Sequence, residues 1–204
     1  MDDYTKRLVL CFSEKLDQAK VGYIEWDSFK LMAMRATFQQ CGGSHQDDVY
    51  QKYLQQSKLW WDSLVRDVGA DAHGRVHYVD MSNYVRRISK DAKDFEQLPE
   101  FIKNLANLVF LMNDKKADGK WDLEEYRNGA VGWCRYVTGI NDIDAAYETL
   151  LTAKDVDRTI SFERYKELVV EFFTSEDSNT PARHIFGPLE LANIDLALTT
   201  SSKQ

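Results

Sequence analysis

Residues Asp114–Glu125 read DKKADGKWDLEE, and they lie between two stretches whose apolar residues recur at helical spacing. A twelve-residue loop that wraps a hard cation needs oxygen donors at positions 1, 3, 5, 9 and 12 and a backbone carbonyl at 7. It also needs a glycine at the sharp turn at 6 and an apolar residue at 8. This stretch supplies Asp114, Asp118, Asp122 and Glu125 at positions 1, 5, 9 and 12, the Lys120 carbonyl at 7, Gly119 at the turn and Trp121 at 8. Position 3 is Lys116, a cation where a dication asks for an oxygen.

The same frame recurs along the chain when the apolar position 8 and the apolar residue after position 12 serve as anchors. Residues 17–28 read DQAKVGYIEWDS, with Gly22 at 6, Ile24 at 8 and Phe29 opening the next segment. Residues 69–80 read GADAHGRVHYVD, with Gly74, Val76 and Met81 in those roles. Residues 153–164 read AKDVDRTISFER, with Ile160 and Tyr165 as anchors and Arg158 in place of the glycine. Four such frames predict an all-α fold of two packed pairs of EF-hands, four helix-loop-helix units in one compact body. In a pair the position-8 residues form a short antiparallel bridge, so Ile24 is expected opposite Val76 and Trp121 opposite Ile160.

Counting ligands separates the loops. The first keeps Asp17 and Glu25 but ends in Ser28, and the second begins with Gly69, has His73 at 5 and ends in the short Asp80. The fourth keeps Asp155 and Asp157 but ends in Arg164, a cation where the bidentate glutamate belongs. These three are expected to be metal-free or nearly so. The third is the candidate site, formed by Asp114, Asp118, Lys120, Asp122 and Glu125, for Ca²⁺ or Mg²⁺. Lys116 opposes it, because a unit charge within several ångströms of a dication is repulsive by several kcal/mol at an effective dielectric of roughly 20. Its long stem can carry the ammonium into water and leave position 3 to a water molecule, or the loop can serve as scaffold alone. The pair His73 and His77 lacks cysteine or carboxylate company for a zinc site.

A net charge of −7 argues against nucleic acid, which needs a basic face. With 44% apolar and 12% aromatic residues the chain can bury a substantial core. Cys11, Cys41 and Cys134 have neither metal nor redox spacing and read as free thiols in a reducing cytoplasm. The N-terminal stretch lacks a signal-peptide core, and the uncharged run 104–113 is about half a membrane span. Helices are expected at 3–16, 26–39, 46–66, 78–89, 98–113, 122–136, 142–152 and 162–173. The first pair of hands then occupies 1–90 and the second 98–189, with 190–204 as a C-terminal extension in which Leu191, Ile194 and Leu198 share a helical spacing.

The segments LWWDSLVRDVGAD, INDIDAAYETL and ISFERYKELVVEFFTSEDSNTP, with the tail HIFGPL at 184–189, resemble the invertebrate sarcoplasmic calcium-binding proteins and their calexcitin relatives. The resemblance spans most of the chain. It implies a compact cytosolic four-hand protein that buffers calcium and magnesium, ordinarily through two or three hands. Only Asp114, Asp118, Asp122 and Glu125 carry the ligand pattern over, and Lys116, Ser28, Gly69 and Arg164 depart from it.

Relatives in the same superfamily imply an alternative. Coelenterazine-binding proteins and photoproteins hold an apolar ligand between their halves, and the tail is similar to that of insect juvenile hormone diol kinases. Trp26, Trp60, Trp61, Trp133, Phe38, Tyr53 and Tyr136 would line such a cavity, although aromatics at helical spacing are ordinarily core. A protein-interaction module is a third reading, but Met32, Met34, Met81 and Met112 are too scattered for a methionine-rich groove. No enzyme is expected, since neither GGSHQDD nor VGWCRYVTG has the lysine and hydroxyl of a phosphate-binding loop.

Overall fold

The computed structural model describes residues 3–16, 21–133, 139–177 and 179–188. Its helices are α1 (Asp3–Leu16), α2 (Trp26–Gln40), α3 (Asp47–Val68), α4 (Tyr78–Ser89), α5 (Glu100–Asn113), α6 (Leu123–Trp133), α7 (Ile140–Leu150) and α8 (Phe162–Thr174). Between them lie four two-residue strands, β1 (Tyr23–Ile24), β2 (Val76–His77), β3 (Lys120–Trp121) and β4 (Ile160–Ser161). β1 pairs antiparallel with β2 and β3 with β4, placing Ile24 opposite Val76 and Trp121 opposite Ile160 as the loop frames require. All four of these side chains are buried.

Local chemistry sets the helix ends. Pro99 holds α5 back to Glu100, since its ring favours an extended residue before the first turn. The preceding linker spends its polarity on a 3-10 turn, Phe95–Gln97, in which the Asp94 carboxylate accepts from the Gln97 amide at 3.1 Å. α7 begins at Ile140, two residues before the expected start, because the Asp142 carboxylate accepts from the Gly139 N–H at 3.2 Å. It stops at Leu150 instead of 152, where Leu151 is already extended. The expected last turn of α6, 134–136, lies outside the described residues, as do Cys134 and the extension 190–204. Cys11 is a buried thiol and Cys41 a half-buried one, and neither forms a disulfide among the described residues.

α5, apolar on nearly every side, runs through the middle of the core and packs against α3, α6 and α8. Its contact with α3 joins the two halves, reinforced where Asn104 Nδ2 donates to Ser63 Oγ at 3.0 Å. Gln39 Nε2 adds a second link by donating to the Asn128 carbonyl at 2.7 Å. The aromatic side chains fill space against each other. Phe29 meets Trp60 at 4.8 Å and Trp61 at 5.1 Å between ring centroids, and Trp26 stacks on Phe29 at 6.1 Å. Tyr53 is buried, which pushes its phenol up to about 12, whereas Phe38 stands at the surface. Trp60 and Tyr53 are therefore core, and the half-buried Trp26 and Trp61 pack against it, as the competing reading of the aromatics expects. Tyr136 and the Trp133 side chain lie outside the described residues.

The chain then closes on itself. Arg7, only 1% exposed, donates to the carbonyls of Ser175 and Asp177 and lies 5.2 Å from the Phe172 ring. Tyr4 donates its hydroxyl to the Phe173 carbonyl at 2.5 Å. A 3-10 turn at Pro181–His184 brings Ile185 and Phe186 into the core, with Phe186 edge-on to Phe172 at 4.9 Å. Tyr126 of α6 donates to the His184 carbonyl at 2.7 Å, so the tail anchors the third hand directly.

His184 carries a pH dependence. Burial first, and Arg183 second, lower its imidazole to about 4. The unfolded chain takes up this proton near pH 6.5, and the folded chain holds it off until about 4. The neutral ring's contribution is complete above that window and is lost as pH falls through it. Thermal melts at pH 7.5 and 5 should show a lower melting temperature at pH 5, and His184→Gln should reduce that difference. An equal difference in the variant contradicts the assignment.

Candidate metal centre

The third loop begins at the C-terminal end of α5, where the Asp114 amide still donates to the Phe110 carbonyl at 2.9 Å. The Asp114 carboxylate then turns into the loop and accepts from the amides of Asp118 and Gly119, each at 3.1 Å. Asp118 accepts from the Lys120 amide at 3.0 Å. These bonds fold the first half of the loop, and the turn at Gly119 adopts φ +77°, which glycine reaches without steric cost.

The second half is closed by a reciprocal cap at the start of α6. Asp122 accepts from the Glu125 amide at 2.9 Å, and Glu125 Oε2 accepts from the Asp122 amide at 3.1 Å. Glu125 Oε1 accepts from the Lys116 amide at 3.0 Å, so this carboxylate, only 3% exposed, ties position 3 to position 12. The Lys116 ammonium donates to Asp122 Oδ2. That bond, followed by the attraction of Asp122, Glu125 and Asp118, holds the lysine above its usual range despite the cost of partial burial.

Of the expected ligands, Asp122 and Glu125 are brought together directly, whereas Asp114 and Asp118 face neighbouring amides. Among the described residues no three His, Cys, Asp or Glu side chains converge as a metal cage. The donor chemistry nevertheless suits a hard divalent ion: four carboxylates and the Lys120 carbonyl are all oxygen, and they lie in one loop with a cation already seated on Asp122. Each Asp114 and Asp118 oxygen keeps a lone pair beside its amide bond, so ion binding would require chiefly that Lys116 leave Asp122.

The other loops are held by different means. In the first, Ser28 stands at position 12 and its hydroxyl accepts from the Glu25 amide at 3.4 Å; Asp17 and Ala19 lie outside the described residues. In the second, Asp71 accepts from the His73 and Arg75 amides at 2.8 and 2.9 Å, which keeps its carboxyl low, the Arg75 bond contributing most. His77 approaches Asp71 at 3.7 Å without forming a cluster with His73. In the fourth, Arg158 takes the glycine's place at φ +56° and its guanidinium pairs with Glu148. Arg164, at position 12, donates to the Leu150 carbonyl at 3.3 Å and to Glu167 at 2.9 Å.

Two links between the third and fourth loops were not legible as site features. Lys120 Nζ lies 2.5 Å from Asp157 Oδ2, and this hydrogen bond is the largest factor lowering that carboxyl to about 2. Tyr147 of α7 donates its hydroxyl toward the carbonyls of Trp121 and Arg158, at 3.0 and 2.8 Å. The first could have been drawn from the bridge register, which places position 7 of one loop near the partner loop. The second depends on a ring reaching over from a neighbouring helix, for which the sequence has no periodic signal.

No family model matches this chain. A sarcoplasmic calcium-binding protein of Scylla paramamosain is 26% identical over 170 residues, 83% of this chain and 87% of that protein. The chain is similar to the sarcoplasmic calcium-binding proteins over most of its length. Those of Branchiostoma lanceolatum, forms I, III and IV, are likewise 26% identical, over 86% of this chain and 92% of theirs. The fold agrees: a sarcoplasmic calcium-binding protein from amphioxus superposes with a TM-score of 0.74 at 21% identity, covering 93% of this chain and 99% of that one. A coelenterazine-binding protein from Renilla muelleri, in its calcium-loaded apo form, shares the fold at a TM-score of 0.63 and 15% identity, over 91% and 96% of the two chains.

Removing the Tyr147 hydroxyl should leave the buried Trp121 carbonyl and the part-buried Arg158 carbonyl without their shared donor. Tyr147→Phe is expected to cost about 1–2 kcal/mol in urea unfolding. An unchanged midpoint and slope would mean that the loops do not depend on this bond.

Proposed function

We propose that this chain is a non-enzymatic, cytoplasmic EF-hand protein whose third loop takes a single Ca²⁺ ion weakly, with Mg²⁺ as a competitor, while the other loops are scaffold. The observation that carries this reading is the buried Glu125 carboxylate, aimed back into a loop that also holds Asp114, Asp118, Asp122 and the Lys120 carbonyl. Those five groups would hold the ion, which would supply a divalent centre joining the end of α5 to the start of α6. That the similar proteins are named for calcium binding supports the ion's identity. In keeping with the loop frames, we assign residues 1–90 and 98–189 as the two paired halves. No described helix is long and apolar enough to cross a membrane.

The remaining loops lack the ligand that completes a calcium site. Ser28 caps its own helix, Asp80 is one methylene short of the usual bidentate residue, and Arg164 brings a positive charge to position 12. A carrier of an apolar molecule draws no support from the aromatic residues, because Trp26, Phe29, Trp60 and Trp61 pack on one another.

Isothermal titration of the metal-stripped protein with CaCl₂ tests the proposal. Heat fitting about one site, with a micromolar or weaker constant, is expected in the parent and should vanish in Glu125→Gln. Millimolar Mg²⁺ should weaken the apparent affinity. Absence of heat in the parent, with helical circular dichroism intact, would overturn the reading.

A further inference from the structure

Loop three brings four carboxylates into twelve residues, and their mutual repulsion is eased where a positive charge joins them. The chain provides that charge itself. Lys116 stands at the position where the frame asks for an oxygen, its ammonium donates to Asp122, and its own amide donates to Glu125. One residue thereby engages the carboxylates at positions 9 and 12, two groups that would also grip an ion. Lys120, by contrast, reaches across to the fourth loop and is paired with Asp157.

The fourth loop repeats the device with a different side chain. Arg164 occupies the position of the bidentate glutamate, and its guanidinium reaches the Leu150 carbonyl at the end of α7, joining the two helices that flank the loop. Both loops of this pair are thus bridged by a cation belonging to the chain.

We propose that the Lys116 ammonium is the resident cation of the third loop: it holds the loop closed without metal, and a divalent ion enters only by displacing it from Asp122. This rests on the reading of loop three as a cation site and adds the residue that sets its affinity. Displacement frees Asp122 as a ligand and sends the ammonium toward solvent along its flexible stem. The ion therefore gains less than it would in a loop with an oxygen at position 3. Calcium also adds little order to a loop that is already folded.

Two variants of the full chain test this, Lys116→Met, which removes the charge, and Lys116→Asp, which restores an oxygen donor. Each is titrated with CaCl₂ after metal stripping and melted in EDTA under circular dichroism. Lys116→Met should bind calcium at least about tenfold more tightly than the parent, and Lys116→Asp about a hundredfold or more. Both should melt at a lower temperature than the parent without metal, and calcium should raise their melting temperatures by more than it raises the parent's. Unchanged affinity in either variant, or an unchanged metal-free melt, overturns the proposal. If the parent gives no heat while Lys116→Asp binds calcium, the weak-site reading of the parent falls and the displacement proposal stands.

Discussion

The antiparallel bridge between paired loops is the constraint on which the rest of the structure depends. It is two residues long on each strand, and a ladder that short has no stability of its own in water. It persists because its position-8 side chains, Ile24 with Val76 and Trp121 with Ile160, are buried beneath it. Trp121 shows how: its ring stacks on Phe110 at 5.1 Å, lies 4.6 Å from Tyr165, and donates its indole N–H to the Phe110 carbonyl at 3.2 Å. The bridge thus holds α5 and α8 at fixed positions, and α5 in turn carries the contact with α3 that unites the halves. None of these buried packing contacts uses a carboxylate of the loops, so the fold does not depend on every loop keeping its ligand residues.

How each loop is held differs from one to the next, and the arrangements share one physical logic. A loop between two helices has orphan carbonyls at its entrance and orphan amides at its exit. In the second loop Asp71 gathers amides; in the third, Asp114 and the Asp122–Glu125 cap do the same. Arg164 supplies a donor to the carbonyl end of α7. The chain's own side chains therefore satisfy the backbone groups of these loops. The third is distinguished by the number of carboxylates it retains and by the internal cation that balances them.

The fold was legible because its signals are periodic or positional. Apolar spacing gave the helices to within a few residues, and the loop frames gave the bridge register directly, because position 8 has a single structural role. The miss at α7 arose from a local cap, Asp142 on Gly139, and the miss at α5 from Pro99. The candidate ligands were legible by residue type. Their present partners were not, since whether Lys116 points to water or to Asp122 is decided by a flexible side chain in the field of its neighbours. The Arg7 clamp was equally hidden: an arginine in a helix otherwise buried by Leu8, Val9 and Phe12 gives no sequence sign that its partners are carbonyls near residue 176.

The central claim is that the paired-loop architecture stands without metal. Hydrogen exchange on the protein in EDTA tests it most directly at the amides of Trp121, Ile160 and Phe162, the last of which donates to the Gly119 carbonyl at 3.1 Å. The account predicts strong protection at these amides before any calcium is added, comparable to that in the middle of α5. Exchange at the rate of an open chain, becoming slow only when calcium is supplied, would contradict it.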